Sequence, residues 1–184
     1  FVLHLPIRYE DETQLTPIKR LLPGMWAQVE GVVTRCEVTY RPRRQLVAAI
    51  EDDSGELALR YLNFYPSQQK QLAVGRRIRA RGEARGGFFG MEMVHPRTTV
   101  ADGDTPLPDR LTPVYPTTEG LPQATLRKAI AAALERADLR DTLPDALLQR
   151  YGLMPFGEAV RLLHAPPPDV ATQPLVDRAH PAWL

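Results

Sequence analysis

Apolar and polar residues alternate most regularly over residues 56–65, Glu-Leu-Ala-Leu-Arg-Tyr-Leu-Asn-Phe-Tyr. A period of two predicts a strand with one buried face. Leu57, Leu59 and Tyr61 share one side, and Arg60, Leu62 and Phe64 share the other. The stretch ends in a run of aromatics, Tyr61, Phe64 and Tyr65. A strand that carries an arginine beside apolar and aromatic residues on its second face offers a surface. A nucleic-acid base is one candidate occupant, because every base has a π-face on which a ring can stack.

Further strands flank this one. Residues 25–40 read as a long strand with β-branched Val29, Val33 and Val38, and Gly31 in its middle predicts a bulge or sharp coil. Tyr40-Arg41-Pro42-Arg43-Arg44 reads as a basic hairpin loop, residues 45–51 as a second strand, and Asp52-Asp53-Ser54-Gly55 as a tight turn. After the 56–65 strand, Pro66 opens a short helix through Gln71-Leu72, and Gly75 closes it. Residues 76–85 form a fourth strand, with Arg77, Arg79, Arg81, Glu83 and Arg85 on one face and Ile78, Ala80, Gly82 and Ala84 on the other. Gly86-Gly87 turns into a fifth strand over 88–94. Five strands with a short helix between the third and fourth follow the order of an OB-fold barrel.

The fold class expected is therefore mainly β with α, an OB barrel followed by a small helical segment. The apolar residues Leu126, Ile130 and Leu134 place a helix over about 123–137. Pro144 and Gly152 bracket a short helix, and Pro155 opens another that Pro166-Pro167-Pro168 ends. The expected layout is 1–24 as the end of an N-terminal segment, 25–96 as the barrel, 97–121 as a linker, 122–170 as the helical segment and 171–184 as a connection onward.

Composition narrows the function classes. The 184 residues are 43% hydrophobic and 24% charged, which suits a globular chain. The single cysteine, Cys36, excludes a disulfide framework and fits a reducing, cytoplasmic setting. It reads as a small buried residue rather than a nucleophile. No apolar run is long enough to span a membrane. The chain begins at Phe1 rather than a methionine and reads as a piece of a longer protein. The net charge is +1, but residues 25–95 hold 11 Lys and Arg against 8 Asp and Glu, while 101–184 hold 8 against 11. The basic side is nearly all arginine, which suits phosphate forks and base stacking.

Catalytic signatures are absent from the sequence. Lys19, Lys70 and Lys128 are the lysines, and none follows a glycine as a phosphate-binding loop requires. His4, His95, His164 and His180 lack metal-ligand spacing. The candidates are thus binding residues. OB barrels hold single strands on the second and third strands and in the loops between strands one–two and four–five. Here those positions carry Arg60, Tyr61, Leu62, Phe64 and Tyr65, then Arg41, Arg43 and Arg44, then Arg85 and Phe88. Plainer readings stand beside this one. Tyr61 shares its side with core leucines, Phe64 and Tyr65 could close the barrel mouth, and the Arg77 to Arg85 row could be a solvated face.

Several stretches carry a resemblance. These are Leu3-His4-Leu5-Pro6-Ile7-Arg8-Tyr9-Glu10-Asp11, Leu59-Arg60-Tyr61-Leu62-Asn63-Phe64 and Gly90-Met91-Glu92-Met93-Val94-His95-Pro96. Two more are Leu111-Thr112-Pro113-Val114-Tyr115-Pro116-Thr117-Thr118-Glu119-Gly120-Leu121 and Leu163-His164-Ala165-Pro166-Pro167-Pro168. Together they resemble the RecG family of bacterial DNA helicases along essentially the whole chain. The resemblance implies a wedge domain that sits at the branch point of stalled replication forks and Holliday junctions and parts their strands in fork reversal, recombination and repair. It implies aromatics stacked on unpaired bases, at Arg60 to Phe64, with Leu62 where relatives often carry a second aromatic. It also implies ATP and Mg in motor domains outside this chain. No cofactor is expected within it, and a monomer in the bacterial cytoplasm near the nucleoid is expected. If the barrel is instead a docking platform, the partner is a single-strand-binding protein's acidic tail, meeting Arg43 and Arg44. Stacking would turn Tyr61 outward through a strand-end bulge, or leave the role to Leu62 and Phe64. A generic single-strand-binding OB module and a protein-docking OB domain are the alternatives.

Overall fold

A computed structural model describes residues 1–40, 43–87, 90–103 and 105–184. The chain forms two compact units, residues 14–106, and residues 1–13 together with 107–184.

In the first unit the strands are β2 (Trp26–Thr39), β3 (Gln45–Asp52), β4 (Gly55–Tyr61), β5 (Arg77–Gly87), β6 (Gly90–Val94) and β7 (Arg97–Val100); β1 (Arg8–Glu10) lies in the second unit. β2 pairs antiparallel with β5 over Trp26 to Val32 and with β3 over Val32 to Thr39. β3 pairs with β4, β4 runs parallel to β6, and β6 pairs back to β5. The ladders therefore close a five-stranded ring, the OB-fold order.

One strand serves two partners because of two local features of β2. At Gly31 an added Cβ would stand 2.7 Å from the Glu51 carbonyl oxygen, so only glycine lets the strands cross this closely. The register shift lies three residues further on, between Val33 and Arg35, and not at Gly31 as the glycine predicts. Thr34 is the extra residue, and it flips the inward phase from Ala27, Val29 and Val33 to Cys36 and Val38.

The barrel interior is filled by Leu46, Ile50, Leu57, Leu59, Tyr61, Ile78 and Met93, all essentially inaccessible. Each buried side chain of this size contributes about 1.5–3 kcal/mol. The helix α1 (Pro66–Gln71) delivers Leu72 into the same core. At a one-turn helix, Ile18–Arg20, Ile18 packs on it too. Asp52 latches that turn by accepting the Ile18 N–H at 2.9 Å, together with the Ser54 and Gly55 N–H groups. Burial pushes the Asp52 carboxyl up, but these bonds and the Ser54 hydroxyl hold it below its ordinary value. β7, in a stretch expected to be linker, continues β6 along the same edge of β5 after a kink at His95 and Pro96.

In the second unit β1 pairs antiparallel with β8 (Thr112–Val114), Arg8 opposite Val114. Of the expected N-terminal segment, residues 1–13 are thus an integral part of this unit, while residues 14–24 belong to the barrel unit. Four helices follow, α2 (Gln123–Arg136), α3 (Asp145–Tyr151), α4 (Phe156–His164) and α5 (Thr172–Val176). α3 ends at Gly152, whose φ of 62° is the left-handed cap that glycine adopts freely. Leu126 and Ile130 pack with Tyr115, while Ala159 and Leu163 pack with Leu175 and Ala182. Buried polar groups tie in the first residues. The Tyr9 hydroxyl donates to the Leu163 carbonyl at 2.7 Å, and its pKa is pushed up to about 12 by burial. His164 Nε2 donates to the Val2 carbonyl at 2.9 Å, so Nδ1 accepts from the Tyr115 hydroxyl at 2.8 Å. This is the neutral imidazole, and burial, then the nearby His4, holds its pKa below the ordinary value.

Candidate nucleic-acid interface

The side of β4 on which each residue falls decides which can meet a ligand. Leu57, Leu59 and Tyr61 point inward, so Ala58 and Arg60 point outward. Tyr61 is 1% exposed, opposite Leu46 on β3. Its hydroxyl donates to the Pro96 carbonyl at 3.2 Å and lies 3.4 Å from Thr98 Oγ1. Burial pushes its pKa up. The expectation that Tyr61 stacks on bases is corrected accordingly. The alternation places the ring in the core, and no bulge turns it out.

The residues after β4 emerge at the barrel end. Leu62 is half-buried and its N–H points to His95 Nε2 at 3.4 Å. The Phe64 ring rests half-buried on the core, and the Arg44 guanidinium lies over it at 4.3 Å from the centroid. Such a cation–π pair contributes about 0.5–1 kcal/mol where exposed. Arginine is also the side chain suited to a bidentate phosphate fork. Arg43 and Arg44 are both exposed, and among the described residues neither has a carboxylate within ion-pair distance. Tyr65 is 76% exposed; its N–H donates to Gln68 Oε1 at 2.9 Å, which fixes the start of α1. Tyr40 stands exposed at the end of β2.

A charged row crosses the outer face of the next strands. Arg60 pairs with Glu92 at 2.7 Å, and Glu92 is the register partner of Arg85. Arg85 bonds Glu83 at 2.8 Å, and that carboxylate, then Glu92, raises its pKa. Arg60 and Arg85 therefore face carboxylates that a phosphate must outcompete, unlike Arg43 and Arg44. The Nε of Arg60 is buried without a hydrogen-bond partner among the described residues. Arg79 is structural: it bonds Glu30 at 2.6 Å and the Thr105 and Pro106 carbonyls. Arg77 shares Glu30.

The structure brings Arg44 and Phe64 together at the end of β4, and Arg43, Leu62 and Tyr65 adjoin them in sequence. Because β6 runs parallel to β4, the paired Gly87 and Gly90 lie toward the opposite end, the Glu56 end of β4. Arg85 is therefore on the same face as Arg60 but not in the Arg44–Phe64 cluster. Arg41 and Phe88 lie outside the described residues. An aromatic that the site reading passed over is Trp26, 69% exposed at the start of β2. Its signal was present, since Ala27 and Val29 alternate inward and leave Trp26 outward. Cys36 is half-buried on the core side, and burial, then Glu37, raises its thiol pKa. Among the described residues no group of three or more His, Cys, Asp or Glu could hold a metal ion, and no helix is long and apolar enough to cross a membrane.

Comparisons with known proteins place this geometry. The ATP-dependent DNA helicase RecG of Escherichia coli is 48% identical over 186 residues, which cover 98% of this chain and 27% of the relative. That of Haemophilus influenzae is 38% identical over 187 residues, again 98% and 27%. The chain thus spans about a quarter of the length of the curated relatives it matches. The solved structure of RecG bound to a three-way DNA junction superposes with a TM-score of 0.71 at 23% identity, over 97% of this chain and 24% of that one. This likeness shows the fold. The family model described as the RecG wedge domain matches residues 1–136, and with that match across the barrel, β1, β8 and α2 the chain belongs to the RecG wedge domain family.

Proposed function

We propose that this chain binds branched DNA, such as stalled forks and Holliday junctions, and holds the strands apart at the branch point. The observation that carries the reading is the Arg44 guanidinium over the Phe64 ring at 4.3 Å, with exposed Arg43 and Tyr65 adjoining the pair in sequence. A phosphate-forking side chain and a ring face thus sit together on a closed barrel. The names of the relatives support the reading, as does the junction held by the structurally similar RecG.

The physical role is that of a passive wedge. Stacking one base contributes about 1–3 kcal/mol. One duplex step stores about 1.4 kcal/mol of stacking. The barrel can therefore cap a separated step but cannot drive unwinding over many. In the whole protein, ATP-driven translocation with Mg would supply that work from parts of the relatives outside the matched quarter, and the chain's own residues orient the strands. The setting is a monomer in the bacterial cytoplasm.

The experiment is an anisotropy competition of the chain among a three-way junction, a linear duplex and a single strand of equal length. The junction is expected to bind tightest. Arg43→Ala with Arg44→Ala weakens all three and lowers the salt slope on duplex by about 1.8, at about 0.9 per phosphate contact. Equal binding of junction and linear duplex would overturn the wedge. A single strand that outcompetes the junction would favour a generic single-strand module instead.

A further inference from the structure

Trp26 opens β2 with its indole outward, while its neighbours Ala27 and Val29 go into the core. The register sets it opposite Glu83 on β5, and Glu83 holds Arg85 at 2.8 Å. Diagonal neighbours on one face of an antiparallel pair lie about 7–8 Å apart, within reach of long side chains. The indole and the Arg85 guanidinium therefore share one patch. Exposed Leu22 and Met25 precede it in a turn in which the Met25 N–H donates to the Leu22 carbonyl at 3.0 Å. This patch lies on β2 and β5, each two strands round the ring from β4, a separation on the order of 10 Å at about 4.8 Å per strand.

We propose that Trp26 and Arg85 form a second nucleic-acid platform, taking an unpaired base on the indole and its phosphate on the guanidinium, separate from the Arg44–Phe64 cluster. The inference rests on the branched-DNA reading: a wedge between diverging strands needs a purchase on each. A ring face beside a guanidinium suits a nucleotide better than an apolar peptide. Glu83 keeps Arg85 beside the indole until a phosphate competes for it.

Trp26 and Trp183 are the two tryptophans, so intrinsic emission reports the event. Titrating the chain with a three-way junction is expected to quench emission, and Trp26→Phe abolishes the quench while a ring remains to keep most of the affinity. Trp26→Ala weakens junction binding about 5- to 140-fold, the range set by one stacked base. Arg85→Ala lowers the salt slope by about 1. If the parent binds the junction with unchanged emission, or Trp26→Ala binds it as the parent does, this platform is refuted and the junction reading stands. If the parent binds no junction, both fall. Melting curves check that the alanine variant is folded, and the emission of the parent decides the matter if it is not.

Discussion

Replacing Tyr61 separates packing from stacking. The side chain is 1% exposed among Leu46, Leu57, Leu59 and Met93, and its hydroxyl satisfies the Pro96 carbonyl at 3.2 Å. Tyr61→Phe removes the donor and leaves a buried carbonyl unpaired, at a cost of about 1–3 kcal/mol. Tyr61→Ala also opens a cavity, at about 3–5 kcal/mol. A domain stable by about 5–15 kcal/mol keeps little reserve after the second change. For a unit the size of the barrel, each kcal/mol lowers the melting temperature by about 4–8 °C. Calorimetric melts of both variants, run beside junction binding at a temperature where each is folded, read the two effects apart. The expected result is a graded loss of stability, Ala beyond Phe, with junction affinity per folded molecule unchanged. A parental melting temperature combined with weakened junction binding would refute the burial argument and return Tyr61 to the binding surface.

Other perturbations follow from single contacts. Gly31→Ala drives a Cβ to 2.7 Å from the Glu51 carbonyl oxygen, and urea titration should show a loss of more than about 2 kcal/mol. Glu92→Gln frees Arg60 from its ion pair, and anisotropy should show junction binding tightened up to about fivefold at low salt, the gain fading as salt rises. Acid should loosen the second unit through His164. Its folded pKa lies below the ordinary value, so the unfolded chain binds more protons between the two. Stability is therefore full above the unfolded value of about 6.5 and declines as pH falls from there toward the folded pKa, by at most about 1.4 kcal/mol per pH unit. Melts from pH 8 to 5.5 should show this, and His164→Gln should flatten that part of the curve; a melting temperature that rises on acidification contradicts it.

Much of the barrel is legible in the sequence because its strands obey the period of two. The alternation over 56–65 orients Leu57, Leu59 and Tyr61 correctly, and it outweighs the resemblance that turns Tyr61 toward DNA. The row from Arg77 to Arg85 lies outward as its pattern requires. The bulge escaped because Gly31 answers a different demand, close approach to Glu51, while the extra residue is Thr34, which carries no local mark. β7 escaped because it sits beyond Pro96 in a Thr-rich stretch and exists only by pairing with Ile78 to Arg81. The pairing of Arg8 with Val114 spans most of the chain and leaves no local trace. For the site, the Arg44–Phe64 contact depends on how β3 and β4 end together. Pattern alone could name both residues but not join them. Nor could it show that Gly87 and Gly90 lie toward the far end of β4.

Photocrosslinking from a nucleotide at the branch point of a three-way junction, mapped by mass spectrometry, tests the central claim most directly. Crosslinks concentrated in residues 43–44 and 62–65 are the predicted result. Crosslinks confined to residues 107–184, with the barrel untouched, would contradict it.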